Sequence, residues 1–435
     1  MKLTQVPGAS LGLVRHGQLV WAKGFGVANN DTKQPVTNQT IFEANSLSKP
    51  LFAFAVLTLV DRRKLDLDTP IVAYGGPDYN VCDDPRFRQV TARMILSHSS
   101  GIVMDRKDPD HKVALAFTPG EKFQYSPTGY DLFSHLIEKM TGMKIEDLIQ
   151  QSVLTPLHMD SSSFVWQPAY DKLRIYQHDW AGRPVPERKK WERGAACCSL
   201  QTNADDYAKF VIATLNGSLL KRATWEQMLK PQIAVSEKFP KLYWGLGWGL
   251  EKTGNDVSIW QWGDSGVTRN YVSASLSQKS AVIWFTNSQN GLSFLRELLD
   301  DGRAGGQQGA LYLGYERYDS ASWMLRSQML KEGAEVALAP YRRHEKHISE
   351  NEMNQLGYDM LSMKRMSDAI AVFTLNTEDY PQSWNTWDSL AEAYMDNGES
   401  KRAIQDYRKS LEINPANENG RKILEKLENN RADVP

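Results

Sequence analysis

The last third of the chain contains an internal repeat, which restricts the fold of that part more than any other feature. Residues 353–381 and 387–415 superimpose when one copy is shifted by 34 residues. The paired positions are Met353 with Trp387, Leu356 with Leu390, Gly357 with Ala391, Ala369 with Ala403, Phe373 with Tyr407 and Pro381 with Pro415. A period of this length, with small and large residues at fixed places, indicates helical hairpins that bury their apolar faces against one another.

The two copies, near residues 350–383 and 384–417, resemble tetratricopeptide repeats, each of which is a helix–turn–helix unit. Two such units are too few to bury a core. Helical patterns at 319–341 and 419–429 are therefore expected to complete the stack. We predict an all-α module over residues 316–435. The sequence leaves open whether this module binds a protein partner or packs on the preceding domain and stabilises it.

The remaining residues, 1–315, have a different pattern. Two alternating runs around His16 and Gly17 predict a β-hairpin near the start, and strand patterns return between residues 243 and 287. Helical and loop patterns fill the middle. Strands at both ends with helices between them predict an α+β domain whose sheet is built from the two ends of the segment. A chain of 435 residues also favours two domains.

Composition excludes several classes of protein. Lys plus Arg total 51 against 52 Asp plus Glu, so no nucleic-acid partner is indicated. The longest strongly apolar run, residues 51–60, is too short to span a membrane. Three cysteines argue against a disulfide scaffold, and the neighbours Cys197 and Cys198 are not expected to form an ordinary structural bridge. No signal peptide is visible, which leaves a cytoplasmic protein or an exported bacterial one whose signal has been removed.

The segment "ANSLSKPLF" contains the strongest candidate nucleophile. Ser46 and Lys49 are three residues apart at the start of an apolar helix, so both side chains lie on one helix face. Burial there would lower the pKa of the lysine and make it a base for the serine hydroxyl. The structural alternative is that Ser46 only caps the helix. The segment "QWGDSGV" around Ser265 resembles a trypsin-type nucleophile motif, but Val267 replaces the second glycine.

With these residues identified, residues 6–290 resemble the serine β-lactamase-related hydrolases. The similarity is closest to the branch with class C β-lactamases, D-Ala-D-Ala peptidases and esterases of the same fold. It extends through "FEANSLSKPLF", "MILSHSSGI", "FQYSPTGYDLF" and "QWGDSGVTRNYV". The resemblance implies an antiparallel sheet with flanking helices, and it gives Tyr125 a share in proton transfer with Ser46 and Lys49. It also assigns the oxyanion to the backbone N–H groups of Ser46 and Val267.

The sequence departs from the family pattern in two motifs. Pro127 replaces the asparagine of Tyr-x-Asn, which removes a hydrogen bond used on amide substrates. Asp264, followed by Ser265 and Gly266, replaces the cation of the third motif. In that motif Ser265 is expected to bind substrate, and Gly266 to let the chain approach the acyl group. Arg269 either neutralises Asp264 or replaces the lost cation, unless Asp264 points away into a structural pair.

These observations predict a serine hydrolase that forms an acyl-enzyme and acts as an esterase on small or medium acyl groups, with weak or absent β-lactamase activity. One alternative is a peptidase or amidase for D-amino-acid or short peptide substrates, with Asp264 binding an amine. The other is a catalytically degenerate domain that serves as a scaffold through its repeats. No cofactor or metal is expected, because "HEKH" at 344–347 misses the His-Glu-x-x-His spacing.

Overall fold

A computed structural model describes residues 1, 3–76, 79–105, 107, 111–186, 190–299 and 305–432. The chain forms two compact units, Met1–Tyr315 and Glu316–Pro435. In the described part of both units, no helix is long and apolar enough to cross a membrane.

The first unit is organised around one antiparallel sheet in the order β2-β1-β12-β11-β10-β9-β8-β7. Its strands are β1 Gly8–Arg15, β2 Gln18–Gly26, β7 Ile233–Ala234, β8 Leu242–Trp244, β9 Gly249–Thr253, β10 Asp256–Asp264, β11 Arg269–Ser275 and β12 Ser280–Thr286. Two small pairs lie outside it: β3 Phe42–Glu43 with β6 Gln201–Thr202, and β4 Ile102–Met104 with β5 Val113–Leu115. Because β1 pairs with β12, strands from both ends of the unit are joined side by side in one sheet. This confirms the predicted α+β class.

Helices of the first unit lie between and around these strands. They are α1 Ser48–Asp61, α2 Val72–Gly75, α3 Ala92–Leu96, α4 Pro127–Thr141, α5 Ile145–Ile149, α6 Tyr170–Leu173, α7 Ala204–Asn216, α8 Arg222–Leu229, α9 Leu295–Leu299 and α10 Gln308–Leu313. Helix α1 is apolar on nearly every side, and every residue from Ser48 to Leu59 is buried. A helix of this kind belongs in the core. Its first turn therefore fixes whatever side chains it carries in a dry and rigid place.

The second unit is helical throughout its described residues. Its helices are α11 Ala321–Glu332, α12 Ala334–Arg342, α13 Glu350–Ser362, α14 Met366–Asp379, α15 Trp384–Asp396, α16 Ser400–Ile413 and α17 Glu418–Ala432. Both ends of α15 lie 34 residues after those of α13, and both ends of α16 lie 34 residues after those of α14. The glycine at the first repeated small position, Gly357, lies so close to Phe373 that a Cβ there would be 2.4 Å from its ring. The predicted repeats are thus two equivalent helical hairpins.

Candidate active site

Ser46 lies in a single 3-10 turn, Asn45–Leu47, immediately before α1. Asn45 has a left-handed backbone with φ of 52°, a conformation that asparagine tolerates better than most residues. Its side-chain amide donates to the hydroxyl of Thr268 at 2.9 Å, which ties this turn to the one between β10 and β11. Ser46 is half-buried, whereas the helix that follows is buried. The tight turn therefore presents one hydroxyl at the edge of the core.

Lys49 comes from the first turn of α1 and lies completely out of contact with solvent. Its Nζ is 2.9 Å from Ser46 Oγ and 2.9 Å from the backbone oxygen of Cys197. Burial lowers the pKa of Lys49 to about 7, and the Asp131 carboxylate opposes this shift. A large share of Lys49 is therefore a neutral amine at neutral pH, able to accept the proton of the adjacent hydroxyl.

Tyr125 completes the polar group around Ser46. Its ring centroid lies 4.9 Å from Lys49 Nζ. Its hydroxyl faces the side chains of Ser46 and Gln261, although no hydrogen bond of good geometry reaches it from the described residues. Burial raises the pKa of Tyr125, and the interactions with Ser46 and Gln261 only partly offset this. Desolvation prevails, so Tyr125 is a neutral donor.

His98 packs against the ring of Tyr125. The sequence did not predict it as part of this site. The two rings lie 4.2 Å apart, and His98 Nδ1 accepts the backbone N–H of Ser126 at 3.0 Å. The proton of the imidazole is therefore on Nε2. Burial and the charge of Lys49 hold the pKa of His98 well below its usual value. The neutral ring fixes the segment that carries Tyr125 without adding a second cation.

Pro127 has a structural role at the start of α4. It is the first residue of that helix, where a missing backbone N–H costs little. Ser126 precedes it and caps the helix, because its hydroxyl accepts the N–H of Gly129 at 3.0 Å. The position that holds asparagine in the family pattern therefore offers no side-chain hydrogen bond to a substrate here.

The opposite wall of the site is the end of β10. The closest approach is at Gly263, where a Cβ would lie 2.2 Å from the backbone oxygen of Ala44. Asp264 ends the strand, and Ser265, Gly266 and Val267 form the turn that leads into β11. Gly266 has φ of 86° with open space around it. Gly263, which sequence reasoning missed, is thus the residue that brings this wall against the Ser46 turn.

Hydroxyl groups connect the β10–β11 turn to the 3-10 turn that contains Ser46. Ser265 Oγ lies 2.8 Å from Thr268 Oγ1, and Thr268 in turn accepts the amide of Asn45. Ser265 is therefore engaged in holding the two walls together. Its hydroxyl nevertheless remains half-exposed at the site.

The negative charge of Asp264 is balanced by hydrogen-bond donors and one cation around it. Its Oδ1 accepts the backbone N–H of Gly266 at 2.6 Å. Its Oδ2 accepts from Arg269 Nε at 3.2 Å and from the Tyr315 hydroxyl at 2.6 Å. Arg269 also donates to the backbone oxygen of Gln289 at 2.6 Å. The structure pairs Arg269 with Asp264, as two of the alternatives left open by the sequence require. Tyr315 was not anticipated, since nothing in the local sequence pairs it with this strand.

Aromatic side chains pack beside Tyr125. The ring of Trp262 lies 4.7 Å from that of Tyr125, and Trp262 stacks on Trp260. Trp244 packs edge-on against the same group. Trp248 belongs to a separate hydrophobic cluster, where it stacks on Phe210. Three tryptophans therefore pack behind Tyr125, and two of them, Trp244 and Trp260, are fully buried.

A second segment also contacts Lys49, and it contains the two adjacent cysteines. Cys197 and Cys198 are joined in a vicinal disulfide, which joins neighbours in the chain and is not the ordinary structural bridge that the sequence argued against. The N–H of Cys197 donates to Asp131 at 3.2 Å. Burial raises the pKa of Asp131, while this N–H and Lys49 favour its ionised form. Asp131 also borders a cleft of about 670 Å³ formed with residues 190–195.

The structure thus brings together a serine hydroxyl, a buried lysine and a neutral tyrosine beside a close strand edge. Residues 1–304 match the family model described as Beta-lactamase, and residues 384–417 match the tetratricopeptide repeat model. The chain therefore belongs to the Beta-lactamase family, with a tetratricopeptide repeat in its second unit.

Individual relatives agree with this assignment. "Protein flp" of Staphylococcus aureus (strain NCTC 8325 / PS 47) is 27% identical over 231 residues, 48% of this chain and 46% of the relative. "Esterase EstB" of Burkholderia gladioli is 28% identical over 215 residues, 42% of this chain and 53% of the relative. The matches thus span about half the length of these relatives. The octameric penicillin-binding protein homologue from Pyrococcus abyssi superimposes with a TM-score of 0.61 at 25% identity, covering 76% of this chain and 79% of that one.

Proposed function

We propose that this protein hydrolyses esters of small or medium, uncharged acyl groups through an acyl-enzyme on Ser46. The observation that carries the proposal is the 2.9 Å contact between Ser46 Oγ and a completely buried Lys49. A serine that only caps a helix does not need a desolvated amine beside it. A serine nucleophile does need one, as the base that takes its proton. The similarity to an esterase, though limited to part of each chain, supports the same reaction.

The reaction follows from the charges at the site. The hydroxyl of Ser46 attacks the ester carbonyl as neutral Lys49 takes its proton, and a tetrahedral oxyanion forms beside the N–H groups of Ser46 and Val267. Tyr125 donates its phenol proton to the leaving alcohol and regains one from Lys49. Water then attacks the acyl-enzyme by the reverse route and releases the acid and Ser46.

The charges at the β10–β11 turn support esters over substrates with a carboxylate. Arg269 already pairs with Asp264 and with a backbone oxygen. A substrate carboxylate would therefore have to compete with Asp264 for that guanidinium. The same turn does not favour the peptidase alternative. A substrate amine would have to bind Asp264, and three donors already occupy the oxygens of that carboxylate.

Hydrolysis of p-nitrophenyl butyrate by the wild type and by Ser46→Ala tests the proposal. We expect turnover that disappears in Ser46→Ala. The matched control is Ser218→Ala, because "SLLK" at residues 218–221 repeats the Ser-x-x-Lys spacing on the exposed surface. Turnover that survives in Ser46→Ala would contradict the proposal and make Ser265 the next candidate. Absence of turnover in every form would favour the scaffold alternative.

We also propose that the repeat unit recruits a protein partner, supported by the tetratricopeptide match at 384–417. Quantitative affinity purification should recover the same partner with the wild type and with Ser46→Ala. A protein recovered only with intact Ser46 would be an acyl substrate of the first unit, and that result would argue against a docking role for the repeats.

A further inference from the structure

The vicinal disulfide closes a ring around the peptide bond whose carbonyl contacts Lys49. A disulfide between neighbouring residues closes a ring that contains the peptide group joining them. In this ring the carbonyl belongs to Cys197, and it is the same carbonyl that accepts Lys49 Nζ at 2.9 Å. The state of the two sulfurs is therefore linked to the catalytic amine by one rigid ring.

The chain on either side of the ring is held independently of the sulfurs. The N–H of Cys197 donates to Asp131. Beyond the ring, Ser199 Oγ accepts the N–H of Ala195 at 2.8 Å and donates to the backbone oxygen of Phe164 at 2.8 Å. Opening the ring would leave these anchors in place. The peptide group itself is held by the ring and by one long hydrogen bond, 3.2 Å from the Cys198 N–H to the backbone oxygen of Ala195. Opening the ring would leave only that bond and Lys49 to orient the Cys197 carbonyl.

We propose that Cys197 and Cys198 form a redox-modification site, whose reduction turns the Cys197 carbonyl away from Lys49 and slows acylation of Ser46. The inference rests on the proposed function of Ser46 and Lys49, because the rate that it affects is the attack by that serine. The free cysteine of the described chain, Cys82, has no part in it.

The chemistry requires a dithiol. A thiolate of the dithiol attacks Cys198 Sγ, which is the more accessible sulfur because Cys198 is half-buried and Cys197 only 6% exposed. The bond between the sulfurs breaks, and Cys197 leaves as a thiolate. The second thiol of the reagent then displaces Cys198 and forms its own disulfide. Two electrons and two protons pass from the dithiol to the protein, which gains two thiols.

Loss of the carbonyl has two effects on Lys49. The amine loses the acceptor that fixes it beside Ser46, and the upper end of the net contribution of one hydrogen bond corresponds to an acylation rate about tenfold lower. The carbonyl also favours the charged form of Lys49, so its removal lowers the pKa of that lysine further. Reduction should thus lower the maximal rate and shift the acid limb of the pH profile to lower pH.

The test measures how fast a fluorophosphonate probe labels Ser46 before and after treatment with dithiothreitol. We expect labelling of the oxidised wild type to fall about tenfold on reduction. Cys198→Ser should label at the reduced rate with or without dithiothreitol. Cys82→Ser is the matched control and should keep the full redox response. Circular dichroism of each form identifies a variant that has simply unfolded.

Equal labelling of oxidised and reduced wild type, or a response that depends on Cys82, would overturn the inference and leave the hydrolase proposal standing. Absence of labelling in every form would instead refute the proposed function. In that case competitive acetylation of Lys49, followed across pH by peptide mass spectrometry, decides the inference. An unchanged pKa of Lys49 on reduction would then overturn it.

Discussion

Two turns face each other across the site, and they differ in how their side chains are set. The turn before α1 carries Ser46, and the chemistry there depends on a lysine only three residues away. The turn between β10 and β11 carries Asp264, whose state depends on Arg269 and on Tyr315, which is 51 residues away. The side chains of the first turn are set by neighbours in the sequence. The charge of Asp264 in the second turn is balanced by one near residue and one that is distant in the chain.

Under the proposed function, this difference separates catalysis from recognition. Burial of α1 is enough to give Lys49 a low pKa, whichever substrate the protein accepts. The β10–β11 turn can change its charges without disturbing that amine, provided that Gly263 still lets the strand approach. We therefore expect changes at the first turn to abolish the rate and changes at the second to alter the choice of substrate.

The largest effect is expected at Lys49. Lys49→Met keeps the side chain long and apolar but removes the base, so the rate constant for p-nitrophenyl butyrate should fall by about 10² to 10⁴-fold. Lys221→Met, in the second Ser-x-x-Lys segment, is the control and should leave the rate unchanged. A loss of less than tenfold would mean that another group takes the proton.

The contact between the two turns can be broken at Gly263. Gly263→Ala places a Cβ against the Ala44 oxygen, and the Ser46 turn must move to accept it. We expect a free-energy loss of about 1–3 kcal/mol in unfolding experiments and a fall in kcat on the order of 10²-fold. Gly254→Ala, in the turn between β9 and β10, should leave kcat unchanged, although its φ of 61° makes alanine strained there and costs some stability. Equal losses of kcat in both variants would show that the contact has no special role.

A smaller effect is expected when the charge of the second turn is altered. Asp264→Asn keeps a side chain that can accept from Tyr315 but leaves Arg269 without its anion. The preference for an ester whose acyl chain ends in a carboxylate, relative to butyrate, should rise about tenfold. A larger gain is not expected, because the side chains of Asp264 and Arg269 are 24% and 23% exposed and solvent screens them. A fall in butyrate turnover as large as that in Lys49→Met would contradict the separation of roles.

The smallest effect is a shift in pH dependence. Neutral Lys49 is the active form, so the rate should rise as pH increases through about 7 and then level off. Asp131 raises the pKa of Lys49, and Asp131→Asn should therefore move this rise to lower pH. The amide oxygen can still accept the Cys197 N–H, so the plateau should change little. Asp205→Asn, on the exposed start of α7, serves as control and should leave the profile in place.

The sequence predicted features that depend on neighbouring residues or on long regular patterns. The helical hairpins followed from a repeat, and the placement of Ser46 beside Lys49 followed from spacing at a helix start. Tyr125 required a family resemblance, because its partners lie far away in the chain. Tyr315, His98 and Gly263 were not found, since each acts through a tertiary contact that leaves no mark at its own position. The sequence excluded an ordinary bridge between Cys197 and Cys198 but gave no indication of the vicinal disulfide, because adjacent cysteines fit no common bridging geometry.

The pairing of β1 with β12 also sets the order in which the first unit can be completed during synthesis. The first hairpin leaves the ribosome early, but its partner strand follows some 270 residues later. At ribosomal speeds of about 5–20 residues per second, that delay is roughly 15 to 50 seconds. An isolated hairpin is only marginally stable in water. The nascent chain therefore carries an unpaired strand edge, which chaperones or a neighbouring copy can reach, until the last strand of the sheet arrives.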